Sequence, residues 1–108
     1  MNESITEELG ELARLAENAK EAAGLLKAMA NENRLMILCS LLERELPVGE
    51  LNARVPLSQS ALSQHLAALR KAGLVNTRKE AQTIWYRLEG TAAQQVISVL
   101  KDQFCAAD

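Results

Sequence analysis

Apolar residues recur at spacings of three and four over most of this chain, which is the period of amphipathic helices. Near the start, Ile5, Leu9, Leu12, Leu15 or Ala16, Ala19, Ala22 or Ala23, Leu26 and Met29 form an a/d seam on one long helix covering 1–30. Asn31 and Glu32 then supply an N-cap and a first-turn acid for a second helix through the apolar run Leu38-Cys39-Ser40-Leu41-Leu42. A short amphipathic segment, Val48 to Val55, is opened by Pro47 and stopped by Pro56. The next helix has Ser58 as its N-cap, Leu57 and Leu62 as a hydrophobic staple, Leu62, Leu66 and Leu69 on its inner side, and Gly73 as its terminator. The pattern then changes to strands at 74–79 and 83–88, joined by Glu80-Ala81-Gln82. Ala93, Val96, Ile97, Leu100 and Phe104 return to a helical stripe over 91–106.

A short helix, a tight turn and a longer capped helix over 47–72, followed by a hairpin over 75–88, predict a winged helix-turn-helix. The fold class is mainly α with a small β-hairpin wing, in the order α-α-α-α-β-β-α, and 1–108 is one domain. On the helix after Ser58, the side opposite the leucines carries Ser60, Ser63, Gln64, Ala67 and Lys71. Short polar groups and a small Ala suit base edges in a major groove, where Gln pairs with adenine and Ser with several bases. The plain alternative for that face alone is a solvated surface; the flanking helix and hairpin favour DNA. The candidate contacts are Ser58, Gln59, Ser60, Ser63, Gln64, His65, Arg70 and Lys71 on the helix, with Arg78, Lys79, Gln82 and Arg87 on the wing.

Charge sharpens this picture. The 108-residue chain has a formal net charge of −2, yet between Ser58 and Leu88 five basic residues face the single acid Glu80. A local basic surface on an acidic chain gives modest, salt-sensitive non-specific affinity for DNA. Aromatic residues make up only 3%, so Leu, Ile, Val, Ala and Met must build the core. A domain of this size cannot bury both terminal stripes in one compact core, which predicts a homodimer through the helices at 1–30 and 91–106. Two-fold symmetry would present two recognition helices to a palindromic operator in double-stranded DNA. No run approaches a membrane span and the acidic start is no signal peptide, so a cytoplasmic location is expected. The chain lacks a nucleophile–base pair, a Gly-rich phosphate loop and paired carboxylates, so no enzyme activity and no cofactor are expected.

The blocks from Leu26 to Leu38, from Val48 to Leu51, from Leu57 to Leu66 and at Gly73-Leu74-Val75, in this order, resemble the ArsR-type winged-helix transcriptional regulators over nearly the whole chain. The resemblance implies a bacterial homodimer that binds operator DNA and answers a chemical signal. The family's Cys-x-Cys metal motif would fall at Leu46 to Leu51, where there is no cysteine, and its last-helix Asp and His site is not matched, since 91–105 holds only Asp102. With His65 the sole histidine, no metal site is expected. Cys39 and Cys105 are read from the residues alone as either a core thiol and a terminal thiol or a functional pair. Their positions are similar to the HlyU, BigR and SqrR branch, which implies a redox switch in which reactive sulfur or an oxidant bridges the two. Two alternatives stay open: a redox-insensitive ArsR-type regulator that relieves silencing of virulence genes, and a winged-helix protein adaptor whose acidic first helix meets a basic partner.

Overall fold

The computed structural model describes residues 3–105; the expected helix ends at 1–2 and at 106 lie outside them. Its elements are α1 (Glu3–Met29), α2 (Glu32–Ser40), β1 (Leu46–Pro47), α3 (Val48–Arg54), α4 (Gln59–Lys71), β2 (Val75–Glu80), β3 (Thr83–Leu88) and α5 (Thr91–Phe104). The architecture is a mainly helical winged helix-turn-helix, as the hydrophobic pattern indicates.

Local chemistry sets the helix limits. The Asn31 side chain accepts from the backbone N–H groups of Asn33 and Arg34, at 3.0 and 3.1 Å, which caps α2. Ser58 Oγ accepts from Ala61 N–H at 3.1 Å and opens α4. At the far end of α4, Gly73 N–H donates to Arg70 C=O and Leu74 N–H to Leu69 C=O, the paired bonds of a Schellman motif. That motif requires the left-handed φ of +78° found at Gly73, a conformation that glycine adopts without strain. Between α3 and α4, Leu57 N–H turns back to Val55 C=O around Pro56, and Asn52 Nδ2 donates to Leu57 C=O at 2.8 Å. The angle between the two helices is therefore fixed by hydrogen bonds as well as by packing.

The core lies where α2, α3, α4 and α5 meet the base of the hairpin. Ile37, Leu38, Leu51, Val55, Leu62, Leu69, Leu74 and Ile97 are fully buried there, with Met29 from the end of α1. Each such side chain contributes about 1.5–3 kcal/mol of transfer free energy. These contacts hold α4 with its leucine side inward.

Two details depart from the expected order. Leu46 and Pro47 pair with Tyr86 and Trp85, so a two-residue strand joins the hairpin and gives an antiparallel sheet in the order β1-β3-β2. Glu80 pairs with Thr83 and belongs to β2, which leaves Ala81-Gln82 as the turn. Ala81 takes a φ of +56°, where a Cβ is disfavoured and two-residue hairpins favour glycine. Ala81→Gly is expected to raise stability by about 0.5–1 kcal/mol, read as a shift of the urea midpoint at constant slope.

The chain is extended. Its radius of gyration is 17.7 Å, against about 13 Å for a compact domain of this length. The excess comes from α1, whose residues from Ser4 to Gly24 are exposed except for Gly10.

Candidate nucleic-acid interface

The inward leucines decide what α4 shows to solvent. With Leu62, Leu66 and Leu69 buried, Gln59, Ser60, Ser63, Gln64, Ala67, Arg70 and Lys71 are all exposed, and so is the capping Ser58. The face carries no acid, has only the methyl group of Ala67 near its middle, and ends in two cations in the last turn. Such a surface can lie in a major groove without steric or charge conflict.

His65 does not share this face. It is half-buried, and its Nδ1 accepts from Arg34 Nε at 3.2 Å. Helical phase explains the difference, because position 65 lies three residues from Leu62 and one from Leu66, beside the buried stripe.

The wing residues split between two faces and the turn. Strand alternation places Arg78 on one face, with its cross-strand partner Trp85 and with Arg87, while Lys79 and its partner Ile84 occupy the other. Gln82 is exposed in the turn. Arg78 is the most engaged of the set. Its Nε donates to Glu45 at 2.8 Å, its Nη1 donates to Glu80, and its guanidinium lies 5.3 Å from the Trp85 ring centroid. Glu80 first and Glu45 next push its already high pKa further up. Lys79 and Arg87 are exposed on their respective faces. The engagement of Arg78 depends on Glu45, which is distant in sequence, and no local signal reveals it.

A second surface is apolar. Along α1, Ile5, Leu9, Leu12, Leu15 and Leu26 are 45 to 62% exposed, and on the last helix Val99 and Phe104 are 59 and 81% exposed. Where α1 meets α5, Ala22, Leu25, Leu26, Ala92 and Val96 line an open apolar groove. Large aliphatic side chains at this exposure along a single seam exceed the scattered apolar residues of ordinary monomer surfaces.

The thiols are the third feature. Both are free; Cys39 is half-buried on α2 and Cys105 is exposed just beyond α5. Helices α2 and α5 pack together, and the two thiols are near enough to influence one another's ionisation. Burial raises the Cys39 pKa, a charge on Cys105 raises it further, and Lys101 opposes both. Cys39 therefore forms its thiolate less readily than an ordinary thiol and is the poorer nucleophile for it. In a timed alkylation followed by mass spectrometry, Cys105 should be labelled first. Labelling of Cys39 should accelerate as the pH rises past the usual thiol range, because its thiolate forms only there. Among the described residues no group of three or more His, Cys, Asp or Glu side chains could hold a metal, and no helix is long and apolar enough to cross a membrane.

The sequence model for bacterial regulatory proteins of the arsR family matches residues 31–77. The transcriptional activator HlyU of Vibrio cholerae is 58% identical over 97 residues, which is 90% of each chain. This chain belongs to the arsR family. It is thus a DNA-binding transcriptional regulator and not an enzyme. The structure of reduced HlyU from Vibrio cholerae aligns with this arsR-family regulator at a TM-score of 0.82, with 59% identity over 85% of this chain and 97% of that one. A homodimeric winged helix-turn-helix DNA-binding domain from Mycobacterium bovis aligns at a TM-score of 0.72, with 30% identity over 82% of each chain.

Arg34 is the residue that the sequence pattern missed. It joins the end of α1 to α4, as described below. One signal was available: a cation in the first turn of a helix opposes the helix dipole, which points to a tertiary role.

Proposed function

We propose that this arsR-family regulator binds a palindromic operator as a homodimer and that its hold on DNA is set by the oxidation state of Cys39 and Cys105. The observation that carries the DNA reading is the exposed, acid-free face of α4. On this reading Ser60, Ser63 and Gln64 meet base edges, Ser58 and Gln59 meet phosphates at the helix start, and Arg70, Lys71, Lys79, Gln82 and Arg87 add phosphate contacts. Arg78 contributes once DNA competes with its two carboxylates, and His65 contributes by supporting α4 from behind. The apolar seams of α1 and α5 support the dimer, which would set two α4 helices about 34–36 Å apart, one turn of B-DNA. Action on DNA places the protein in the cytoplasm.

The thiol reading rests on the packing of α2 against α5 and on the electrostatic influence of Cys105 on Cys39. The exposed Cys105 thiolate attacks the sulfane sulfur of an organic persulfide and releases the organic thiol, becoming a persulfide itself. The Cys39 thiolate then attacks Cys105 Sγ, expels hydrosulfide and leaves a disulfide; two protein thiols are oxidised while the persulfide is reduced to thiol and hydrogen sulfide. The bridge links the last helix to the helix that supports α3 and α4. A coupling of about 1–3 kcal/mol between bridge and DNA weakens binding roughly 5- to 150-fold.

The test compares reduced and persulfide-treated protein on a fragment from upstream of its own gene, with Cys39→Ser and Cys105→Ser in parallel. Binding when reduced, release when treated and retention by both variants is the expected result. Release that persists in both variants sinks the thiol switch, and equal binding before and after bridging indicates a redox-insensitive regulator. Absence of binding to specific and random DNA alike would turn the assignment to a protein adaptor.

A further inference from the structure

We propose that Arg34 is a positioning residue that keys the rotation of α4 to the end of α1 through His65, so that sequence-specific DNA binding depends on this link. The inference rests on the DNA-binding reading of α4 and goes beyond it by assigning work to two residues behind the contact surface.

The link has three parts. Arg34 Nη1 donates to Ala28 C=O at 3.1 Å, and Arg34 Nε donates to His65 Nδ1 at 3.2 Å. Ala28 lies in the last turn of α1, whose carbonyls have no partner within the helix and carry the negative end of its dipole. A guanidinium in this place offsets that end and satisfies the carbonyl. The bond needs the lone pair of Nδ1, so it is made with the imidazole tautomer that carries its proton on Nε2. Among the described residues no carboxylate pairs with Arg34. Both of its side-chain partners are neutral acceptors reached in different directions, which a planar fork accomplishes and a lysine does not.

The consequence for α4 is directional. Leu62, Leu66 and Leu69 hold the helix against the core, but apolar burial is non-directional and tolerates a small rotation. The Arg34–His65 bond does not. It is made one residue away from Gln64 and two from Ser63 and Ala67, so it fixes the direction in which those residues face. It also makes that direction answer to the last turn of α1, the same helix whose exposed seam is read as the dimer surface.

The experiment begins by letting the wild-type protein select a duplex from a random-sequence pool. Affinity for the selected duplex and for a scrambled duplex is then measured by anisotropy at one salt concentration, alongside thermal melts. Arg34→Met and His65→Leu are each expected to lower the selected-to-scrambled affinity ratio about 10-fold, with scrambled-duplex affinity changed less than about 3-fold. The double variant should be no worse than either single one, because both break the same bond. His65→Asn, whose Oδ1 stands where Nδ1 stood, should keep the ratio near wild type.

Multiplying losses in the double variant, an unchanged ratio in His65→Leu, or a His65→Asn variant as impaired as His65→Leu would each overturn the proposal. If Arg34→Met fails to fold, the contrast between Asn and Leu at position 65 decides alone. A wild-type protein that selects no sequence overturns the DNA reading itself. Intact selection with independent effects of the two residues overturns only the link.

Discussion

Replacing Leu12 and Leu15 together by glutamate is expected to yield a folded monomer that no longer holds DNA at concentrations where the wild type does. Both side chains are 62% exposed on α1, far from the buried cluster around α4, so the single-chain core loses nothing by the change. Glutamate is also a good helix former. In a dimer through α1, however, four carboxylates would enter an apolar seam, and uncompensated burial of even one charge costs several kcal/mol. Sedimentation velocity should show half the wild-type mass, with near-native helical circular dichroism. A monomer loses the chelate advantage of two linked half-sites, commonly a factor of 10² or more, so affinity for a selected duplex should fall at least 100-fold. A variant that sediments like wild type would remove the α1 seam from the dimer reading.

The second large effect is expected at Ala67. This residue is exposed in the middle of the polar face of α4, and Ala67→Glu should change stability by less than about 0.5 kcal/mol. It places four extra heavy atoms, three of them a carboxylate, where the face must approach the duplex. Each blocked base contact costs about 1–3 kcal/mol, and a two-fold dimer carries the substitution twice, so the dissociation constant should rise by roughly 30-fold or more. Ala67→Ser, which is small and uncharged, should stay within about 3-fold. Equal binding by all three proteins in an anisotropy titration would mean that α4 does not face DNA.

What could be read from the sequence follows the range of the forces involved. Ser58, Asn31, Gly73, Pro47 and Pro56 act on backbone groups within a few residues, so the limits of α2, α3 and α4 were visible as local chemistry. The inward stripe of Leu62, Leu66 and Leu69 fixed the exposed face by elimination. Strand β1 was invisible because two residues have no period, and one of them is a proline whose pairing depends on Trp85, remote in the chain. The engagement of Arg78 by Glu45 and of His65 by Arg34 likewise spans 33 and 31 positions. Local pattern proposes which side chains are available; only the folded chain determines which already have partners.

Strand β1 also bears on how the wing breathes. Because β3 is paired on both sides while, among the described residues, no strand pairs with the outer edge of β2, the hairpin should not open as a flap hinged at its base. In deuterium exchange the amides of Trp85 and Tyr86 should persist long after those along the outer edge of β2 have exchanged, since releasing them requires the α2–α3 junction to loosen as well. Any motion that brings the wing to a DNA backbone would then carry the start of α3 with it, and the two-residue strand acts as the stitch between them.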